Sequence, residues 1–152
     1  PMLWLTGTND FAYWPNVWQR SVCAAAGRRQ LCMKVRWPHG HIPEAEEARE
    51  LVTFFGEHLK GSRPMLTVGA LRVENGRAIA DYGDERPLRS ACLVMTADSG
   101  RWPDREWHTL SAQTEPASRT VEAALPPETT GAYLSLVSED WLTTSSDLLF
   151  PE

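Results

Sequence analysis

The chain has 152 residues, 42% of them apolar, and 20 acidic against 15 basic side chains give a formal net charge of −5. That is enough apolar content for one full domain or two small ones. The charges are dispersed, so no continuous basic surface forms to neutralise phosphates, and nucleic acid is excluded as a partner. No apolar run reaches the roughly 18 residues of a membrane span, and the opening residues lack a basic stretch followed by an apolar one. The chain as it stands is expected to carry no membrane segment or export signal and to be cytoplasmic. Cys23, Cys32 and Cys92 form no CxxC pair and are odd in number. They are read as small buried hydrophobes rather than as a disulfide scaffold or zinc ribbon.

In chain order, "PMLWLTG" is a short apolar run closed by Gly7 and the turn-forming "TND", which predicts a strand. "WPNVWQRSVCAAAG" then carries apolar residues at helical spacing. "RRQLCMKVRW" alternates Leu31, Met33 and Val35 against Gln30, Cys32, Lys34 and Arg36, a second strand ended by Pro38. After "HGHIP", "EAEEARELVTFFGEHLKG" places Ala45, Ala48, Leu51, Val52, Phe55 and Leu59 on one helical stripe, with an acidic first turn and a Lys60-Gly61 end. This β-α-β-α order predicts a parallel pair with a right-handed crossover, too small to cover both faces of its own sheet.

From about residue 64 the texture changes. "MLTVGALRV-ENG-RAIADYGD", "LRSACLVMTAD", "REWHTLSAQ", "SRTVEAALP", "GAYLSLVSE" and "SSDLLF" are β-type runs punctuated by Gly, Pro, Asn and Asp. The fold class expected is an α/β remnant followed by an all-β, immunoglobulin-like antiparallel sandwich. The boundary falls in Gly61-Ser62-Arg63-Pro64, giving domains 1–62 and 63–152.

Asp10 leaves one strand end, and His39 and His41 leave the next, so the topology sets an acid beside two imidazoles. Asp10 also suits a turn or a helix N-cap, and a loop histidine beside proline suits mere exposure.

"PMLWLTGTNDFAYWPNVWQRS", "VRWPHGH" and "FFGEHLKG" resemble the last part of an α/β-hydrolase of the acetyl xylan esterase and dienelactone-hydrolase kind. "VEAALPPETTGAYLSLVSEDWLTTSSDLLF" resembles the sandwich appended to such enzymes. The resemblance implies carboxylic-ester hydrolysis with Asp10 as triad acid and His41 as base, His39 standing second. In that family the order is Ser, acid, His, and no G-x-S-x-G occurs in this chain. The implied reading is a truncated esterase-like protein whose Ser, oxyanion hole and N-terminal half come from elsewhere, and the resemblance implies an exported parent protein. Ser62, Ser99, Ser145 and Ser146 lack a strand-turn-helix context that would activate them.

Three other readings follow from the residues. Asp10, His39 and His41 are donors that a divalent metal accepts, which would give a promiscuous hydrolase without serine; the triad reading needs no cofactor. A thiol route through Cys23 or Cys32 lacks a visible activating neighbour. A non-catalytic module would bind carbohydrate or protein, with Trp102 and Trp107 as exposed platforms and Trp4 and Trp18 in the core. Uncovered apolar faces and an open strand edge further predict a homodimer or higher oligomer.

Overall fold

Pro15 opens the first helix because a residue at the first helical position has no use for its missing N–H. The computed structural model describes residues 1–37, 39–40 and 43–151. Strand β1 (Met2–Gly7) leads into helix α1 (Pro15–Ala24), strand β2 (Arg29–Lys34), the short helix α2 (Pro43–Glu46) and helix α3 (Arg49–Lys60). β1 and β2 pair in parallel, Met2 opposite Arg29 through Gly7 opposite Lys34. Eight strands follow: β3 (Arg72–Glu74), β4 (Arg77–Asp81), β5 (Leu88–Thr96), β6 (His108–Ser111), β7 (Gln113–Glu115), β8 (Thr120–Ala124), β9 (Gly131–Ser138) and β10 (Thr143–Ser145). They form two antiparallel sheets, ordered β10-β9-β5-β6 and β3-β4-β8-β7. The molecule is therefore mixed and mostly β. No helix of the described residues is long and apolar enough to cross a membrane.

Alternation of period two explains how the layers stack. Ala78, Ala80, Val121 and Ala123 of one sheet meet Leu93, Met95, Leu134 and Leu136 of the other in one core. The intervening residues of β5 and β9 face the opposite way: Val94 and Tyr133 pack with Trp18, Val22 and Met33 of the N-terminal region, and with Trp102 and Trp107. The sheet holding β5 and β9 is thus covered on both faces, which is why "CLVM" reads as an unbroken apolar run and every residue of "AYLSL" is buried. Hairpin β3–β4 turns at Asn75 and Gly76, both at positive φ (50° and 72°), the Asn-Gly turn that matches strand twist.

The long helix expected over 44–61 is interrupted. Ala48 has φ −54° and ψ 123°, a non-helical geometry that separates α2 from α3. The expected apolar stripe is also corrected. Val52, Phe55 and Leu59 are exposed, and the buried residue of α3 is Glu50. Glu50 is drawn inward because its carboxylate takes a hydrogen bond from Lys34 Nζ at 2.9 Å and another from the Thr143 N–H at 2.9 Å. Side chains of β10 also bond the outer edge of β2: Met33 N–H donates to Ser145 Oγ at 2.9 Å, and Thr144 Oγ1 donates to the Leu31 carbonyl at 3.3 Å.

Candidate functional site

Each residue of Gly7-Thr8-Asn9-Asp10 has a separate task where β1 and β2 end side by side. A Cβ on Gly7 would lie 2.0 Å from the Trp37 carbonyl oxygen, so glycine is what lets the turn segment following β2 cross this close. Thr8 N–H donates to the Lys34 carbonyl at 3.0 Å, and Thr8 Oγ1 accepts the Arg36 N–H at 2.9 Å. That bond steadies Arg36 at φ 51°, a left-handed conformation uncommon for a residue with a side chain. Asn9 Nδ2 donates to the carbonyls of Pro103 and Arg105 at 2.9 and 2.8 Å, pinning the turn to the sandwich.

Asp10 is 7% exposed, and its two oxygens are divided between two jobs. Oδ1 accepts the N–H groups of Ala12 and Tyr13 at 2.7 and 2.9 Å, a side-chain-to-backbone turn ahead of α1. Oδ2 faces His39 Nδ1 at 3.0 Å. An ionised carboxylate only accepts, so in the neutral ring the proton sits on Nδ1 and the Nε2 lone pair is left free. His39 keeps a third of its side chain accessible. Phe11 and Tyr13, both mostly exposed, flank its ring with centroids at 5.0 and 5.5 Å.

Among the candidate residues, the structure brings Asp10 and His39 together. His41, the first choice for the base from the sequence, lies outside the described residues, as do Pro38 and Ile42. Among the described residues no group of three or more His, Cys, Asp or Glu is placed to hold a metal ion. Of the serines, Ser62 and Ser99 are exposed. Ser145 and Ser146 are each 2% exposed and serve as structural clasps, Ser146 Oγ accepting the Leu134 N–H at 3.0 Å. Cys32 is fully buried, and burial, reinforced by the Glu50 charge, pushes its thiol far up. Burial also raises Cys92. Cys23 departs from the expectation of buried cysteines, since it is exposed on α1.

Two tryptophans also correct their expected places. Trp102 and Trp107 are 8% and 6% exposed, ring centroids 6.1 Å apart, because the second apolar face of the β5–β9 sheet needs large side chains to cover it. Trp141 is the exposed one, with Arg89 over its ring at 3.7 Å. The site residues that the sequence did not single out are Gly7, Thr8, Asn9 and the Phe11–Tyr13 rim. The quoted "GTND" contained most of them, but only the distant contacts, Trp37 for Gly7, Arg36 for Thr8 and the Pro103–Arg105 segment for Asn9, give each its role.

No family model matches the chain, and no curated protein matches it. A pectate lyase from Erwinia chrysanthemi, solved in complex with tetragalacturonic acid, is similar at 22% identity and a TM-score of 0.32, covering 56% of this chain and 26% of that one. The chain thus spans about a quarter of that neighbour's length. These findings overturn the α/β-hydrolase resemblance: no comparison returns that family, and the architecture is mostly β with a two-stranded parallel pair. The physical reason is that short turn motifs such as "GTND" are explained by local needs, a close backbone crossing and a capped turn, that many folds share.

Proposed function

We propose that Asp10 and His39 form the proton-accepting pair of a hydrolytic site acting on small carboxylic esters, with water as nucleophile. The observation that carries this reading is the 3.0 Å approach of His39 Nδ1 to a buried carboxylate whose other oxygen is already held by two backbone N–H groups. A carboxylate fixed this way cannot swing away, so it sets the ring orientation and leaves Nε2 as the acceptor. In the step, Nε2 takes a proton from water as the water oxygen bonds to the ester carbonyl carbon. The tetrahedral intermediate then expels the alcohol, which leaves with that proton, while Asp10 stabilises the transient imidazolium. Phe11 and Tyr13 offer an apolar rim for the acyl or alkyl part. The eight-strand region, with its two sheets in this strand order, is read as an immunoglobulin-like sandwich that supports the site through Asn9.

The test is p-nitrophenyl acetate hydrolysis measured across a gel-filtration peak with light scattering. His39→Ala is expected to lower the rate by about 10²-fold, the lower end of general-base contributions, and Asp10→Asn to lower it as well. A rate indifferent to His39→Ala sinks the proposal, and a rate confined to an oligomeric peak moves the site to an interface between copies.

A further inference from the structure

A cleft of about 490 Å³, within the usual size of small-molecule pockets, opens between α1 and the loop bearing Trp102. It is lined by Arg20, Arg105, Asn16, Cys23, Trp102 and Phe150 among others, and its wall carries two arginines and no acid. In a chain of net charge −5 that local excess of positive charge runs against the overall balance.

Arg105 is the anchor of the cleft. It is 9% exposed, yet it makes no ion pair among the described residues. Its guanidinium stacks over the Trp102 ring at 3.5 Å, donates Nε–H to the Gly100 carbonyl at 2.9 Å, and reaches Thr130 Oγ1 at 3.4 Å. Burial pulls its pKa below the ordinary arginine value, and the charge of Asp98 opposes that only in part. The Asp98 carboxylate instead accepts the Glu106 N–H at 2.7 Å. A buried cation without a counter-charge in contact is costly, and arginine's planar fork is the side chain best suited to take a carboxylate. Arg20, on the exposed face of α1, has no hydrogen bond or ion pair among the described residues. A third group is also unsatisfied: the buried Oδ1 of Asn16 has no partner there. Asn16 is itself part-exposed and lines the cleft, where its side-chain amide can donate to a hydroxyl. Trp102 and Phe150, with ring centroids 5.5 Å apart, supply the apolar surface.

We infer that this cleft binds a small, hydroxylated ring carboxylate, with Arg105 and Arg20 on the carboxylate, Asn16 on a hydroxyl, and the ring against Trp102 and Phe150. Two chemical sources carry these groups, a phenolic acid and an acidic sugar. The site is separate from Asp10 and His39 and does not depend on their activity.

Cys23 provides the readout, because it lines the cleft and is exposed, whereas burial raises the thiols of Cys32 and Cys92 and keeps them slow. The experiment follows iodoacetamide alkylation of Cys23 in the full chain by intact mass, with 4-hydroxybenzoate or glucuronate titrated in. Saturable protection of Cys23 by one or both acids is expected, and which of them protects assigns the source. Arg20→Gln removes one charge-assisted hydrogen bond at the exposed edge of the cleft and should weaken the protecting affinity roughly tenfold. Arg105→Lys, which keeps the charge but loses the fork, should weaken it as well. Equal protection by the neutral 4-hydroxybenzamide overturns the role of the arginines, and equal protection by acetate overturns the role of the ring. No protection by either acid overturns the site. Arg20→Gln is a surface change on α1 that leaves the fold in place, so unchanged protection in that variant also counts against the proposal.

Discussion

In the sandwich, position is set by repetition: Ala78, Ala80, Val121 and Ala123 face inward because every second residue does, and the sheet would hold with several of them altered. At the ends of β1 and β2, position is set by single contacts without a spare. Among the described residues, Gly7 alone admits the Trp37 carbonyl, Thr8 alone ties Arg36 by a side-chain bond, and Asn9 alone anchors the turn to the Pro103–Arg105 segment. The difference teaches where each region is vulnerable. Mutations should spread their cost in the sandwich and concentrate it in the N-terminal region.

The largest effect is expected where the two regions are joined. Glu50, 1% exposed, holds Lys34 of β2 and the backbone of Thr143 at the start of β10. Glu50→Ala leaves the lysine without its counter-charge and the Thr143 N–H without an acceptor, and breaking a buried pair from one side costs about 3–5 kcal/mol. Lys34 keeps a quarter of its side chain in water, so the lower end of that range is expected. Urea unfolding checks it. A loss below about 1 kcal/mol, the scale of an exposed ion pair, would mean that the joint is held by the shared apolar cluster alone.

Much of the sandwich was legible because period-two alternation and the Asn75-Gly76 turn are local signals. Its one opaque feature, the burial of Trp102 and Trp107, follows from a second covered face, and no local pattern encodes a third layer. In the N-terminal region the strand and helix order was legible, and so was the gathering of Asp10 with a loop histidine at neighbouring strand ends. The choice of His39, second to His41 in the sequence reading, the tethering by Thr8 and Asn9, and the inward turn of Glu50 were not, since each depends on residues 28 to 96 positions away in the chain. Helical periodicity misled in α3 for a related reason. It records which side chains share a face, and it does not say whether anything covers that face.

The next effect sharpens the contrast at one atom. Gly7→Ala places a methyl group 2.0 Å from the Trp37 carbonyl oxygen, and backbone cannot yield as a flexible side chain does. Overpacking of this kind costs about 1–3 kcal/mol, and the upper end is expected. The same displacement moves the segment carrying His39 away from Asp10, so ester hydrolysis should fall in the variant at temperatures where it is still folded. Stability lost with the His39-dependent rate unchanged would show that the loop approach and the Asp10–His39 contact are independent.

The smallest effect bears on the α3 stripe. Phe55 is 55% exposed, and Val52 and Leu59 on the same face are more so, at 71% and 77%. Had this stripe packed into a core, as its spacing predicts, Phe55→Glu would cost several kcal/mol, about the 3–5 of a buried Phe truncation plus the burial of a charge. With the face in solvent, the substitution should stay within about 0.5 kcal/mol by urea unfolding and be independent of protein concentration. Glutamate is a good helix former and removes apolar surface from water, so a slight gain fits as well. A large cost that shrinks on dilution would put the stripe against a second copy of the chain, and a large cost without concentration dependence would put it back in the core.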